Sequence, residues 1–218
     1  MVKKVLIIAY QFPPRSGPGV FRTLNLVKYL QEFNYQPIVL TTNNKYTIDE
    51  GGKIDNSLLN EIPDFVEVHR TKSYSLSKVS KFLMKVKLYR LVWFILFPLF
   101  WEWSNLWSFL TLRKALSLIK NEKIDIIYTT SGPFSSMHLG WLLKLFTGKP
   151  WVADLRDPLT DAYNWMYPSK MHWHLTRLWE IFFFNKPSTL IVNTESVKDL
   201  FIKRGLRKDN IVVINNGF

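Results

Sequence analysis

Three groups of residues have types and spacing suited to holding an anionic ligand. The first is the turn that contains Gly17 and Gly19, between an apolar strand and an amphipathic helix. Glycines let an anion approach the backbone closely, and the free N–H groups and positive dipole end of the following helix favour phosphate. Pro18 removes one N–H donor from this turn. The spacing alone fits an ordinary surface loop equally well.

The second group begins at Asp154, where an apolar run ends, and continues with Arg156, Asp157 and Asp161. In an open parallel sheet, ligands lie outside the carboxyl ends of the strands. We therefore expect these side chains to line the same cleft as the glycine turn. The alternative is a solvated turn in which arginine and aspartate form a surface pair.

The third group follows the apolar run Ile124–Thr129 and comprises Ser131, Pro133, Ser135 and Ser136. Small hydroxyl side chains at this place can contact a substrate, but they are also typical caps of a helix N-terminus. Both interpretations stay open from the sequence. Glu195 presents a similar choice, since a carboxylate in a first helical turn is favoured by the helix dipole.

Several classes of function are excluded or disfavoured. The chain has no cysteine, which rules out disulfides, thiolate zinc sites and cysteine nucleophiles. A dinucleotide fingerprint would require glycine at position 22 and an acidic residue after the second strand, and neither is present. No P-loop motif occurs, and the four histidines lack the spacing of metal ligands. We expect no metal and no cofactor.

Short apolar runs alternate with helical stretches, which is typical of a parallel α/β sheet. The predicted strands are Lys4–Ala9, Pro37–Thr41, Val66–His69, Ile124–Thr129, Trp151–Asp154, Leu190–Asn193 and Ile211–Ile214. The predicted helices are Val20–Phe33, Ser104–Lys120, Ser135–Phe146, His172–Asn185 and Ser196–Lys203. Several strands are apolar on both faces, as expected where helices cover both sides of a sheet. The fold class is a doubly wound, mostly parallel Rossmann-like sheet, with an exposed polar loop at Asn43–Asn60.

The formal net charge of +12 is concentrated in residues 71–123, which hold ten Lys/Arg and two Glu. Within this region a cationic amphipathic stretch leads into an aromatic, Pro-interrupted apolar stretch that is too short to span a bilayer. This combination suits a membrane interface. Packing in the core, or on another domain, is the alternative, and no motif accompanies the charge that would indicate nucleic acid. The predicted membrane-surface residues are Lys78, Lys81, Lys85, Arg90, Trp93 and Trp101.

Four stretches, in order, resemble family 4 glycosyltransferases of the two-domain GT-B fold. They are "KVLIIAYQFPPRSGPGVFRTLNLVKYLQEFNYQPIVLTTN", "DIIYTTSGPFSSMHLGWLLKLFTGKPWVADLRDPLTD", "LIVNTES" and "IVVINNGF". The resemblance covers the chain except for about Lys45–Asn105. It implies that residues 1–218 form a single Rossmann-like, acceptor-side domain with a basic and aromatic helical insertion at 74–107. We expect the second, donor-binding domain of such enzymes to be absent from this sequence.

The resemblance also implies roles for individual residues. The loop at Gly17 and Gly19 would close over the donor diphosphate, and Arg22 would pair with phosphate. Asp157 would hold an acceptor hydroxyl while Arg156 balances charge near the phosphates. The remaining acceptor-binding candidates are Ser131, Pro133 and Asp161.

The expected activity is retaining transfer of a sugar from a nucleotide-diphosphate-sugar donor to a glycan or lipid-linked acceptor. We expect this reaction in bacterial surface polysaccharide assembly, in the cytoplasm at the inner face of the plasma membrane, with the present chain inactive alone. Two alternatives stay open. One is a stand-alone acceptor- or membrane-binding subunit that pairs with a separate donor-domain protein. The other, a sugar-phosphate isomerase or epimerase, would require an acid/base pair that the sequence does not show.

Overall fold

The structure is a computed structural model that describes residues 2–43, 53–73, 85, 92, 94, 105–161, 167 and 169–216. Its centre is a parallel sheet of seven strands in the order β3-β2-β1-β4-β5-β6-β7. The strands are β1 (Lys3–Ile8), β2 (Tyr35–Thr42), β3 (Glu67–Thr71), β4 (Ile126–Thr130), β5 (Trp151–Leu155), β6 (Thr189–Val192) and β7 (Ile211–Val213). All seven predicted strands are confirmed, with ends that differ by one or two residues.

Helices cover both faces of the sheet. They are α1 (Pro18–Tyr29), α2 (Asn105–Asn121), α3 (Ser135–Thr147), α4 (Lys170–Phe184) and α5 (Glu195–Lys203), with 3-10 turns at Leu30–Phe33, Asn56–Glu61 and Lys208–Asn210. Alternate residues of β1 point to opposite faces: Val5 and Ile7 belong to the buried cluster on the α1 side, and Leu6 and Ile8 belong to the cluster that residues of α2 to α5 complete. The predicted doubly wound α/β fold is confirmed.

Differences from the predicted helices have local causes. Helix α1 begins at Pro18, because proline is well suited to the first helical turn, and its last predicted residues form the 3-10 turn Leu30–Phe33. Helix α4 begins at Lys170, because the Ser169 hydroxyl accepts a hydrogen bond from the His172 N–H. The predicted exposed loop at Asn43–Asn60 is wrong at its end, where a 3-10 turn capped by Asp55 buries Leu58.

The sheet order places the glycine turn at a topological switch point. The chain leaves β1 towards β2 on one side, whereas it leaves β4 towards β5 on the other. Loops that follow two adjacent strands in opposite directions open a crevice at the carboxyl edge of the sheet. The turn Gln11–Gly17, the segment after β4 and the segment after β5 all lie at this edge.

Candidate functional site

Arg156 is the centre of the site, and Ser131 holds it in place. The Arg156 backbone N–H donates to the Ser131 Oγ at 2.9 Å, and its Nε donates to the Ser131 carbonyl at 3.1 Å. Its Nη2 donates to the carbonyls of Ser131 and Gly132. The side chain of Ser131 is buried. The structure therefore places Ser131 beneath the arginine, and its predicted contact with an acceptor stays a prediction.

Two glycines enclose the Arg156 guanidinium. A Cβ built on Gly19 would lie 2.0 Å from Nη1, and one built on Gly132, where φ is +83°, would lie 2.0 Å from Nη2. Side chains at either position would therefore displace the guanidinium. The contact brings together the first predicted group, at the glycine turn, and the second, at the Arg156–Asp157 corner.

Two hydrogen-bond donors at this place have no partner in the part of the chain that the structure describes. They are the Nη1 group of Arg156 and the backbone N–H of Gly19. Gly19 is in the first turn of α1, so the positive end of the helix dipole adds to the charge. The arrangement offers an anion one charged donor and one backbone donor side by side.

Burial and nearby charge act on Arg156 in opposite directions. Burial lowers the pKa of its guanidinium, and the negative charges of Asp154 and Asp157 act to raise it. The group nevertheless keeps its positive charge at neutral pH, since an arginine side chain loses its proton only far above that pH. Asp157 is exposed at the edge of the crevice, where its carboxylate is accessible to a ligand.

Every nitrogen of the Arg22 guanidinium already donates hydrogen bonds to other groups of the chain. Arg22 forms a two-point ion pair with buried Asp154, with Nε–Oδ2 at 2.7 Å and Nη2–Oδ1 at 3.0 Å. Its remaining N–H groups donate to the segment after β7, namely to the Ile214 carbonyl (3.2 Å), the Asn215 carbonyl (3.1 Å) and the Asn216 Oδ1 (3.0 Å). The phosphate role of Arg22 stays a prediction, and it would require release of this segment.

Tyr128 completes the Arg22–Asp154 pair, and no pattern in the sequence indicates this role. Its hydroxyl donates to the Asp154 Oδ2 at 2.6 Å. Burial raises the pKa of Tyr128, and the charge of Asp154 raises it further. Burial acts to lower the pKa of Arg22, but the hydrogen bond and charge of Asp154 outweigh it, so that pKa is raised. The arginine and the tyrosine therefore both stay protonated.

A second buried network holds the loop that carries Arg156 and Asp157. The fully buried Glu180 of α4 accepts from the Thr160 N–H at 3.1 Å and from the Thr160 hydroxyl at 2.7 Å. Arg204 donates to Glu180 at 2.8 Å and also pairs with Asp161. The exposed Asp161 is thus occupied by an internal ion pair. Its predicted role in acceptor binding remains untested.

The third predicted group lies at the same edge but does not cap α3. The residue before α3 is Phe134, which makes no side-chain cap, and the Ser136 Oγ instead accepts from the Tyr10 N–H at 3.0 Å. Pro133 is partly buried beside Gly132. Glu195 lies in the first turn of α5, as the dipole argument predicts. Its Oε2 is 3.7 Å from the Lys198 Nζ.

Most of the predicted membrane-surface residues, Lys78, Lys81, Arg90, Trp93 and Trp101, lie outside the described residues. Lys85 is described as helical and exposed. Trp107, at the limit of the predicted insertion, belongs to α2 and packs edge-on against Tyr10 in the core. Within the described ranges, no helix is long and apolar enough to cross a membrane. The same ranges contain no group of three His, Asp or Glu side chains that could hold a metal ion.

A groove of about 310 Å³ lies beside Arg22, on the α1 side of the sheet. Its lining is formed mainly by the apolar side chains of Leu26, Tyr29, Leu30, Phe33, Ile191 and Ile214. A diphosphate requires donors and positive charge, so this groove does not suit it. The crevice at Arg156 is therefore the better candidate for an anionic ligand.

The family model for glycosyltransferase family 4 matches residues 19–218. The chain belongs to this family. None of the curated proteins compared with the chain matches it significantly in sequence.

Solved structures of the GT-B class resemble the chain in fold. HepE from Anabaena in complex with UDP-glucose is 17% identical with a TM-score of 0.53, and covers 99% of this chain and 44% of its own. The UDP-GlcNAc 2-epimerase from Methanocaldococcus jannaschii, in complex with UDP-GlcNAc and UDP, is 15% identical with a TM-score of 0.56; the corresponding shares are 98% and 46%. The chain thus spans less than half the length of these structures, and the likeness shows the fold alone.

Proposed function

We propose that the chain is the acceptor-side domain of a family 4 glycosyltransferase that uses a nucleotide-diphosphate-sugar donor. The observation that carries this proposal is the pair of uncommitted donors at one crevice, Arg156 Nη1 and the Gly19 N–H. Membership of the family and the UDP and UDP-sugar complexes of structurally similar proteins support a donor of this type. The sugar is passed to a glycan or lipid-linked acceptor in surface polysaccharide assembly.

The chemistry follows from the charges at the crevice. Cleavage of the sugar–phosphate bond leaves a diphosphate with growing negative charge, which Arg156 and the N-terminus of α1 would stabilise. The exposed carboxylate of Asp157 would orient an acceptor hydroxyl near the reacting carbon. Metal is not required by this scheme, and the retaining outcome follows from the family resemblance. A donor-binding domain would close the crevice from the other side.

UDP-GlcNAc 2-epimerisation is the second candidate, because several structures of similar fold have that activity. An epimerase needs groups that remove and return a proton or a nucleotide during the reaction. At the crevice Asp157 is exposed, whereas Asp154 and Asp161 are held in ion pairs with Arg22 and Arg204. Membership of a glycosyltransferase family therefore favours transfer.

The test is a panel of nucleotide sugars presented to the protein together with a donor-binding domain, with analysis of both released nucleotide and sugar products. Arg156→Ala is expected to lower kcat/KM by about 100-fold, and Arg156→Lys by less, because a point charge keeps part of the attraction. The matched control is Arg113→Ala, at an exposed arginine of α2. Equal activity of Arg156→Ala and Arg113→Ala would refute the proposed site. Formation of an epimer without transfer would select the second candidate.

A further inference from the structure

Helix α4 carries an exposed apolar stripe on its outer face. Met171, Leu175, Leu178 and Phe182 are 54%, 37%, 64% and 49% exposed. Their spacing of four, three and four residues places them in one line along the helix. The opposite face packs on the core through buried Thr176, Glu180 and Phe183. The stripe is therefore exposed, and its end residue Phe182 contacts the Trp179 ring and the Lys186 ammonium of the same segment.

All exposed charge on and just after α4 is positive. Lys170 and Lys186 are exposed, and the Arg177 guanidinium lies 5.4 Å from the centre of the Trp173 ring. The helix's single acidic residue, Glu180, is buried and bonded to Arg204. A surface that binds a protein of ordinary composition usually carries charges of both signs. A face whose exposed charges are all positive is instead complementary to anionic lipid.

Further exposed aromatic and aliphatic side chains lie near both ends of α4. At its start, the Phe94 ring, 44% exposed, lies 4.5 Å from the His172 ring, and the Phe94 carbonyl is 2.9 Å from the His172 Nε2. At its end, Lys144 donates to the Lys186 carbonyl at 2.6 Å, which brings the end of α3 alongside, with Leu145 and Phe146 exposed. Four exposed apolar residues in one line differ from the singly scattered apolar residues that are normal on a surface that meets only water.

We propose that the stripe Met171, Leu175, Leu178 and Phe182 docks on an anionic lipid bilayer, with α4 lying in the plane of the membrane interface. The apolar side chains enter the boundary between head groups and acyl chains, and Lys170, Arg177 and Lys186 contact lipid phosphates. Helix α4 starts at the edge of the sheet that carries the Arg156 crevice. If the proposed function holds, this orientation brings the crevice near lipid-linked acceptors. The docking itself does not depend on that function.

Vesicle binding tests the inference with a pair of variants matched in charge. Leu178→Glu/Phe182→Glu alters the stripe, and Tyr29→Glu/Phe33→Glu makes the same change at residues 57% and 68% exposed on the α1 side of the sheet. The probe is phosphatidylcholine vesicles with and without about 30% phosphatidylglycerol. We expect the unmodified protein to sediment with the anionic vesicles, the stripe variant to bind at least about tenfold more weakly, and the α1 variant to bind nearly as well.

A site-specific label adds a second measurement, because the chain has no native cysteine. An environment-sensitive dye on Leu178→Cys should shift to shorter wavelength with anionic vesicles, whereas the same dye on Phe33→Cys should not. Equal loss of binding in both charge variants, or no loss in either, overturns the inference. So does a change from dimer to monomer in the stripe variant without vesicle binding, which would identify an interface between copies. Transfer activity is not measured, so failure here leaves the proposed function standing.

Discussion

Arg156 has little freedom to move, because Ser131 bonds it from below and two glycines lie against its guanidinium. Its position depends on the absence of side chains at Gly19 and Gly132. The proposed role of Arg156 therefore requires glycine at positions 19 and 132. A Cβ at Gly132 would meet the end of a flexible side chain, so the arginine would be pushed aside while the fold persisted.

Gly132→Ala is expected to lower donor turnover at least about tenfold, through displacement of Arg156. The matched control is Gly148→Ala: Gly148 has φ +67° and no atom within 4 Å of the place where a Cβ would lie, while Gly132 has φ +83°. Both variants should lose about 1 kcal/mol of unfolding free energy through backbone strain. Urea unfolding and steady-state kinetics provide the two measurements. Similar kinetics for the two variants would mean that Arg156 is not positioned by Gly132.

His138 should make stability depend on pH. Burial lowers the pKa of its imidazole from 6.5 to about 4, so the folded protein holds it neutral where the unfolded chain takes up a proton. The neutral His138 therefore contributes about 3 kcal/mol to the unfolding free energy above pH 6.5, and this contribution is lost as the pH falls towards 4. We expect His138→Gln to flatten the fall in unfolding free energy across this window. Parallel pH profiles for wild type and His138→Gln would contradict the prediction.

At the scale of elements, the Arg22–Asp154 pair joins three parts of the fold. Arg22 is on α1, Asp154 is on β5, and the carbonyls of Ile214 and Asn215 belong to the segment after β7. The Asp154 side chain is 1% exposed and that of Arg22 14% exposed. Removal of one partner would leave a buried charge uncompensated, whereas removal of both would not.

A double-mutant cycle tests this junction. Asp154→Leu is expected to cost about 3–5 kcal/mol of unfolding free energy, and Arg22→Met/Asp154→Leu to recover more than half of it. The control cycle uses Lys28 and Glu61, an ion pair of the same 2.7 Å distance whose side chains are 29% and 47% exposed. This pair should couple by less than about 1 kcal/mol. Equal coupling in the two cycles would show that the Arg22–Asp154 pair behaves as a surface pair.

The elements were predictable from the sequence because apolar periodicity is local. Runs such as Val5–Ile8 and Trp151–Leu155 identify strands whatever surrounds them, and parallel strands bring the following loops to one edge. That reasoning placed the turn with Gly19 and the corner with Arg156 at one edge of the sheet, and the structure brings the two into contact. The partner of Arg22 was not predictable, because Asp154 lies 132 positions away and nothing local distinguishes a pairing arginine from a phosphate-binding one.

The buried network around Glu180 was missed for a related reason. A glutamate in a helical pattern is usually solvated, and only the packing of α4 shows that this one is fully buried. Its partners Thr160 and Arg204 come from two other segments, 20 and 24 positions away. Leu58 is a smaller example, since a polar loop composition concealed a single core residue.

At the scale of the whole molecule, the crevice presents donors from one side only. Arg156 and the N-terminus of α1 can meet phosphate oxygens, and the two uncommitted donors, Arg156 Nη1 and the Gly19 N–H, suit the diphosphate rather than the nucleoside or the sugar. The groove beside Arg22 is apolar and is lined by Tyr29, Leu30 and Phe33. A nucleotide sugar would therefore keep most of its surface in water when bound to this chain alone.

We expect the 218-residue chain by itself to bind UDP-glucose with a Kd of about 1 mM or weaker, and to transfer no sugar. Two charge-assisted hydrogen bonds contribute about 1.5–3 kcal/mol each, and immobilising the ligand offsets much of that gain. Isothermal titration of the chain, with and without a donor-binding domain, measures the difference in affinity directly, and Arg156→Ala should abolish the weak binding of the chain alone.

The same measurements separate the two forms of the proposal. If the donor-binding domain must be fused to the chain, the two act as one enzyme; if a separate protein restores transfer, the chain is a subunit. Micromolar binding or turnover by the chain alone would show that the described crevice is more complete than its donors suggest.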